Sequence, residues 1–179
     1  MIEQCPCCGS EIRKYRGTFI AGPNYTISQD NKSVTKYTGD GWNANAIGSE
    51  EITPGTITII NFKIENTTSN SYIMFGVAPK SINQNSLCYN SCGWYFYSNS
   101  GGLYCQPPLS YSNFNYRNEK LLPNGTIITV IVDTVSGKIS FKVNNDKIKT
   151  AYHSITFNES IVPCVNLYSK GDAVRIIHE

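Results

Sequence analysis

The chain has 179 residues, enough for one domain with a real core, because a chain of that size buries roughly two thirds of the surface it exposes when unfolded. With 15 Lys and Arg against 13 Asp and Glu, the net charge of +2 supplies no basic field for nucleic acid and no acidic field for cationic partners. No run approaches the length of a membrane-spanning helix, and the opening MIEQCPCCGS lacks the basic-then-apolar pattern of a secretory signal.

Charged residues make up only 16%, so Asn, Ser and Thr must supply much of the polar surface. Such a chain is poor in helix formers and rich in the β-branched and aromatic residues that suit pleated strands. Its 7 cysteines are an odd number and are not spread as in a small disulfide scaffold. The thiols are expected to be reduced and the protein intracellular, in the cytoplasm. Five Asn-x-Ser/Thr triplets, at Asn24, Asn31, Asn66, Asn124 and Asn158, carry little weight in a chain so rich in Asn and Thr.

Residues 1–17 differ from the rest and form a short Cys-rich segment; residues 18–179 read as one β-rich domain. The segment holds Cys5, Cys7 and Cys8 and then the charged Glu11, Arg13, Lys14 and Arg16. Cys5 and Cys8 have the spacing of a zinc knuckle, Gly9 allows the turn behind it, and Cys7 is a third candidate ligand. Tetrahedral zinc needs four ligands and no second Cys-x-x-Cys follows; Cys88 and Cys92 are distant and have three residues between them. Three readings stay open: a zinc site completed by distant or intermolecular ligands, redox chemistry at a thiol of lowered pKa, and a mobile segment with no site.

After this segment, short strand-like runs recur with turn signals between them. GTITIINFKIENTTSNSYIMFGVAP predicts strands over residues 56–64 and 72–78, the second stopped by Pro79. In SCGWYFYSNSGGLYC, alternation puts Trp94 and Phe96 on one face, for the core, and Tyr95 and Tyr97 on the other. Residues 98–102 can turn, and Leu103 and Tyr104 begin a return strand that could bring Cys92 near Cys105. The clearest hairpin is GTIITVIVDTVSGKISFKVNND: Ile128, Val130 and Val132 alternate on one strand, Ile139, Phe141 and Val143 on the next, and Gly137 is free to take positive φ in the turn. IVPCVNLY and AVRII supply two last strands around SKGD. No segment keeps a 3.6-residue apolar period over helical length. The fold class is all-β, an antiparallel two-sheet β-sandwich with little or no helix.

Over residues 42–177, five pieces in order resemble the SPRY domain family. They are GWNANAIGSEEITPG, YIMFGVAPK, CGWYFYSNSGGLY, GTIITVIVDTVSGKISFKVNN and VPCVNLYSKGDAVRI. The chain departs from the family in carrying Ile60 or Phe62 where a Trp usually stands on the first long strand. The resemblance implies a bent sandwich with no catalytic role, whose loops at one rim bind a protein or peptide partner, as an adaptor or targeting module. The rim candidates are Asn83 and Asn85 before the Gly-Trp strand, Tyr111 and Tyr116 in the long connection, and Tyr168, Ser169 and Lys170 in the last turn. Exposed Tyr suits an interface, since its ring buries area at low entropic cost. A zinc knuckle before such a domain would fit, by family analogy, a part in ubiquitin ligation.

The residues exclude much else. Only His153 and His178 are present, and there is no Gly-x-Ser-x-Gly elbow, Walker loop or His-Glu-x-x-His, so no enzyme is indicated and no cofactor beyond zinc. From Leu87 to Leu109 there is no Lys or Arg beside the aromatics, which counts against single-stranded nucleic acid. A membrane partner is not expected either. A β-sandwich lectin is the alternative, because sugar sites use aromatics and Asn without net charge. A zinc-dependent or redox regulator acting through CPCC is the second.

Overall fold

The computed structural model describes residues 3–68, 71–85, 93–106 and 121–179. Among the described residues there is no helix, and two sheets face each other across one core. The larger runs in the order β12 (Lys149–Tyr152), β11 (Lys138–Val143), β10 (Ile127–Asp133), β6 (Thr56–Asn66), β14 (Ala173–Ile177), β4 (Ser33–Lys36) and β3 (Tyr25–Ile27). The smaller runs β5 (Ala44–Ile47), β13 (Ile161–Leu167), β7 (Ile73–Pro79), β8 (Gly93–Tyr97) and β9 (Leu103–Gln106). The all-β sandwich expected from composition and alternation is the architecture found.

Alternation builds the core. β6 buries every second side chain, with Ile60, Phe62 and Ile64 facing the smaller sheet while the residues between them stay partly exposed. β10 and β11 pair with Val130 opposite Phe141 and Val132 opposite Ile139, as the hairpin pattern predicts, and Gly137 takes a φ of +66° in the turn. Burying each large apolar side chain of this kind contributes about 1.5–3 kcal/mol.

The smaller sheet is covered on both faces. Trp94 and Phe96 join the main core as expected, whereas Tyr95 lies on the outer face with Met74, Ala78, Val162 and Cys164, and Trp42, Ile82 and Tyr97 pack over them. This explains why β7 and β13 are buried along their whole length and read as continuous apolar runs. Opposite Cys105 the register places Trp94; Cys92 lies outside the described residues.

Residues 1–17 supply two strands to the larger sheet. β1 (Glu3–Gln4) and β2 (Glu11–Lys14) form a hairpin, and β2 runs parallel to residues 56–59 of β6. β10 occupies the other edge of β6, so β2 and β14 lie end to end along one edge, β14 covering residues 61–66. Beyond β2, Arg16 donates to the His178 carbonyl (2.6 Å), and a His178 ring nitrogen lies 2.9 Å from the Gly17 carbonyl. These two contacts tie His178 to the segment that follows β2.

Candidate functional site

At the end of the smaller sheet where β13 finishes and β7 begins, antiparallel pairing gathers residues far apart in the chain. Leu167 lies opposite both Ala44 and Ile73, and Met74 lies opposite Tyr97. The residues just outside or at these positions are Trp42, Tyr72, Tyr97 and Tyr168, all half-buried. Their rings close a circuit. Trp42 meets Tyr168 edge-on at 5.2 Å and Tyr97 at 5.7 Å; Tyr72 meets Tyr168 at 5.3 Å and stacks on Tyr97 at 6.1 Å. Tyr104, 42% exposed, extends the group from β9 by packing edge-on against Tyr97 at 5.7 Å. Aromatic pairs at these separations add about 0.5–1.5 kcal/mol each beyond area burial.

Two buried polar networks hold the rings in place. On one side, the Ser98 hydroxyl donates to the Ser71 carbonyl (2.5 Å) and accepts from the Ile73 amide (3.2 Å), locking Tyr72 against the strand that ends in Tyr97. On the other, Lys36, only 1% exposed, donates to the carbonyls of Tyr168 (2.6 Å), Leu167 (3.3 Å) and Gly41. Its ammonium also sits 5.9 Å from the Tyr168 ring centre. Burial depresses its pKa, an effect the negative charges of Asp172 and Asp40 partly offset. Asp172, fully buried, accepts the amides of Ser169 (2.9 Å) and Thr68 (3.2 Å); burial raises its pKa, and those two amides and Lys36 restrain the rise. Lys36 and Asp172 thus clasp the loop carrying Trp42 to the turn carrying Tyr168.

Beneath the rings lies Asn166. Its β13 neighbours Val165 and Leu167 face the core and Cys164 the outer cluster, so Asn166 points outward, between Met74 and Asn45. It is fully buried, and neither its amide nitrogen nor its oxygen has a hydrogen-bond partner. Thr38 Oγ1 and Asn43 Oδ1, in the loop around Trp42, are also buried and unpaired. A buried amide left unsatisfied costs about 1–3 kcal/mol, so native structures rarely keep one without a use. Aromatic walls around unused donors and acceptors suit a ligand that is partly apolar and rich in hydrogen-bonding groups.

Of the rim residues named from sequence, Tyr168 belongs to the aromatic circuit. Lys170 is exposed beside it, its amide donating to Asp40 (3.3 Å). Ser169 is buried and bonded within the turn, its hydroxyl 3.3 Å from that of Thr68. Asn83 and Asn85 are exposed; the Asn83 carbonyl accepts from the Asn45 side chain (3.1 Å), and its own side chain accepts the Asn85 amide (2.9 Å). Tyr111 and Tyr116 lie outside the described residues. Trp42, Tyr72, Tyr97, Lys36 and Asn166 make up the rest of this candidate site, and of them the sequence marks only Tyr97, by its outward alternation.

The N-terminal cysteines lie elsewhere, at the tip of the β1–β2 hairpin. Cys5, Cys7 and Cys8 have sulfurs within 4.8 Å of one another. The Cys5 thiol is lowered to about 7 by the Cys7 thiol beside it and by the amides of Cys7 and Cys8. His153 is exposed, its Nδ1 3.3 Å from the neighbouring Ser154 hydroxyl.

The family model described as SPRY domain matches residues 60–178. Solved structures similar to the chain include the SPRY domain of human HERC1, with a TM-score of 0.67 at 21% identity, covering 86% of this chain and 92% of that one. The TRIM65 PSpry domain superposes with a TM-score of 0.64 at 15% identity, covering 93% and 94% of the two chains. Stonustoxin matches with a TM-score of 0.64 at 13% identity over 92% of this chain but only 27% of its own. At these identities the structural likeness is one of fold. No curated protein matches the chain by sequence.

Proposed function

The chain belongs to the SPRY domain family, whose members are in general non-catalytic protein-interaction modules, and from that premise we propose that it recognises a peptide or protein segment at the aromatic end of its smaller sheet. The observation that carries this reading is the half-buried circuit of Trp42, Tyr72, Tyr97 and Tyr168 above the unpaired amide of Asn166. A peptide brings both chemistries such a rim calls for: side chains to wedge against the rings, and backbone amides and carbonyls for the polar groups of the loops around Trp42 and Tyr168. Trp and Tyr are also the residues that concentrate binding energy at interfaces.

In this reading the protein is an adaptor or targeting module that works in a reducing, intracellular setting, with no reaction of its own and no nucleic-acid or membrane partner. The exposed Tyr37, 53% accessible on the loop that leads to Trp42, widens the rim. A carbohydrate is the second reading, favoured by the combination of stackable rings with Asn amides and no local field of one sign.

Selection of a random peptide library displayed on phage tests both. Peptides enriched on the wild-type protein should lose at least tenfold in affinity on Trp42→Ala and keep it on Val135→Asp, a surface change at the other end of the sandwich. Enrichment of no peptide, together with glycan-array binding competed by a free monosaccharide, replaces the peptide reading with the sugar one.

A further inference from the structure

The turn between β1 and β2 is folded around one sulfur. The Cys5 amide donates to the Ser10 carbonyl and the Gly9 amide to the Cys5 carbonyl, both at 2.8 Å, while Gly9 at φ +72° brings the chain back toward β2. A cysteine binds a metal as its thiolate, so what the turn contributes is the gathering of its sulfurs. The Cys7 sulfur lies 2.9 Å from that of Cys5, and Cys8 completes a group that, among the described residues, contains cysteines alone.

The spacing fits one ion. Thiolates bonded at about 2.3 Å to a tetrahedral centre stand roughly 3.8 Å from one another. Here the sulfurs are spread between 2.9 Å and at most 4.8 Å, so side-chain rotations of about 1 Å gather all three. Cys7, Cys8 and Gly9 are exposed, and a Cβ placed on Gly9 would meet nothing within 4 Å, so the tip is open on its outer side. An all-sulfur set selects soft or borderline ions over magnesium and calcium.

We infer that Cys5, Cys7 and Cys8 bind one thiophilic divalent ion of the zinc class as three thiolates, with the fourth coordination position open to solvent. The three thiol protons leave to solvent on binding, so affinity rises with pH. A position left open is the arrangement of zinc sites that accept an outside ligand, in contrast to the closed four-thiolate sites of purely structural zinc.

The full chain, reduced with a phosphine and stripped of metal, is titrated with Cd(II) and with Zn(II). Alkylation and peptide mapping of the unmodified chain then read which thiols the ion protects. One equivalent per chain, protection of Cys5, Cys7 and Cys8 together, and at least tenfold weaker binding in each of Cys5→Ser, Cys7→Ser and Cys8→Ser are expected. No saturable binding, or Cys7 left reactive in the loaded protein, overturns the three-thiolate site. So does one ion per two chains, which would mean that a second copy closes the coordination. Because protection is read on the unmodified chain, the test stands even if a serine variant fails to fold.

Discussion

The two ends of the sandwich make different kinds of surface. At one end, Trp42, Tyr72, Tyr97 and Tyr168 form a shallow aromatic rim over buried polar groups that have no partners. At the other, the β10–β11 turn and residues 155–161 enclose a groove of about 520 Å³, lined by Ile52, Val135, Gly137, Phe157 and Glu159 among others. Hydrogen bonds beside this groove tie its walls together. Asp133 accepts the amides of Val135 and Ser136 (2.9 Å each) and the Ser136 hydroxyl (2.5 Å), and Glu159 accepts from Ser81 (2.7 Å). At the aromatic end, a buried Lys36–Asp172 clasp and stacked rings surround buried polar atoms that have no hydrogen-bond partner.

The largest effects should come from the polar clasp. Asp172→Ala leaves the Ser169 and Thr68 amides buried without an acceptor and Lys36 without its nearest counter-charge, so a loss of about 2–4 kcal/mol is expected in urea unfolding. A loss under 1 kcal/mol would mean that the clasp does not organise this end. Next is Trp42→Ala, which should weaken peptide binding by tenfold or more, about 1.4 kcal/mol, while the far-ultraviolet spectrum stays that of the wild type; equal loss from Val135→Asp would erase the distinction between the ends. Third is a pH effect. Lys36 has a folded-state pKa below its ordinary 10.5, so folding disfavours its charge. The penalty is complete at pH values below the folded pKa and fades as pH climbs toward 10.5, so stability should rise across that window. Melts between pH 8 and 10 should show the rise in the wild type and not in Lys36→Met. Smallest is Val135→Asp itself, at a residue 56% exposed, which should shift stability by no more than about 0.5 kcal/mol.

Much of the fold was legible because its long strands either alternate, as in β6, β10 and β11, or run continuously apolar between turn residues, as in β7 and β13. β6, β7, β8, β10, β11, β13 and β14 all fall where the apolar periods and turn residues place them. β3, β4 and β5 were not legible, and the reason is physical. β3 is only three residues long, and on β4 and β5 the polar residues Ser33, Lys36 and Asn45 occupy buried positions, so no apolar period shows. The site was less legible than the fold. Tyr168 is named from its turn, but the four rings of the circuit come from four separate elements, and only the register of β5, β13, β7 and β8 brings them together. Nor does a lysine flanked by threonine and tyrosine announce itself as buried; three carbonyls converging on one ammonium exist only in three dimensions.

The placement of β2 has a consequence for anyone shortening the chain. Residues 56–59 of β6 receive their outer backbone partners from β2 and from no part of β14. Removing the first seventeen residues to discard the cysteines would strip that stretch, TITI, of its neighbour and leave a flat, β-branched edge facing water. Edges of this kind recruit strands from other molecules. Such a truncation would be expected to self-associate or precipitate, whereas serine substitutions at the hairpin tip remove the thiols and leave the edge covered.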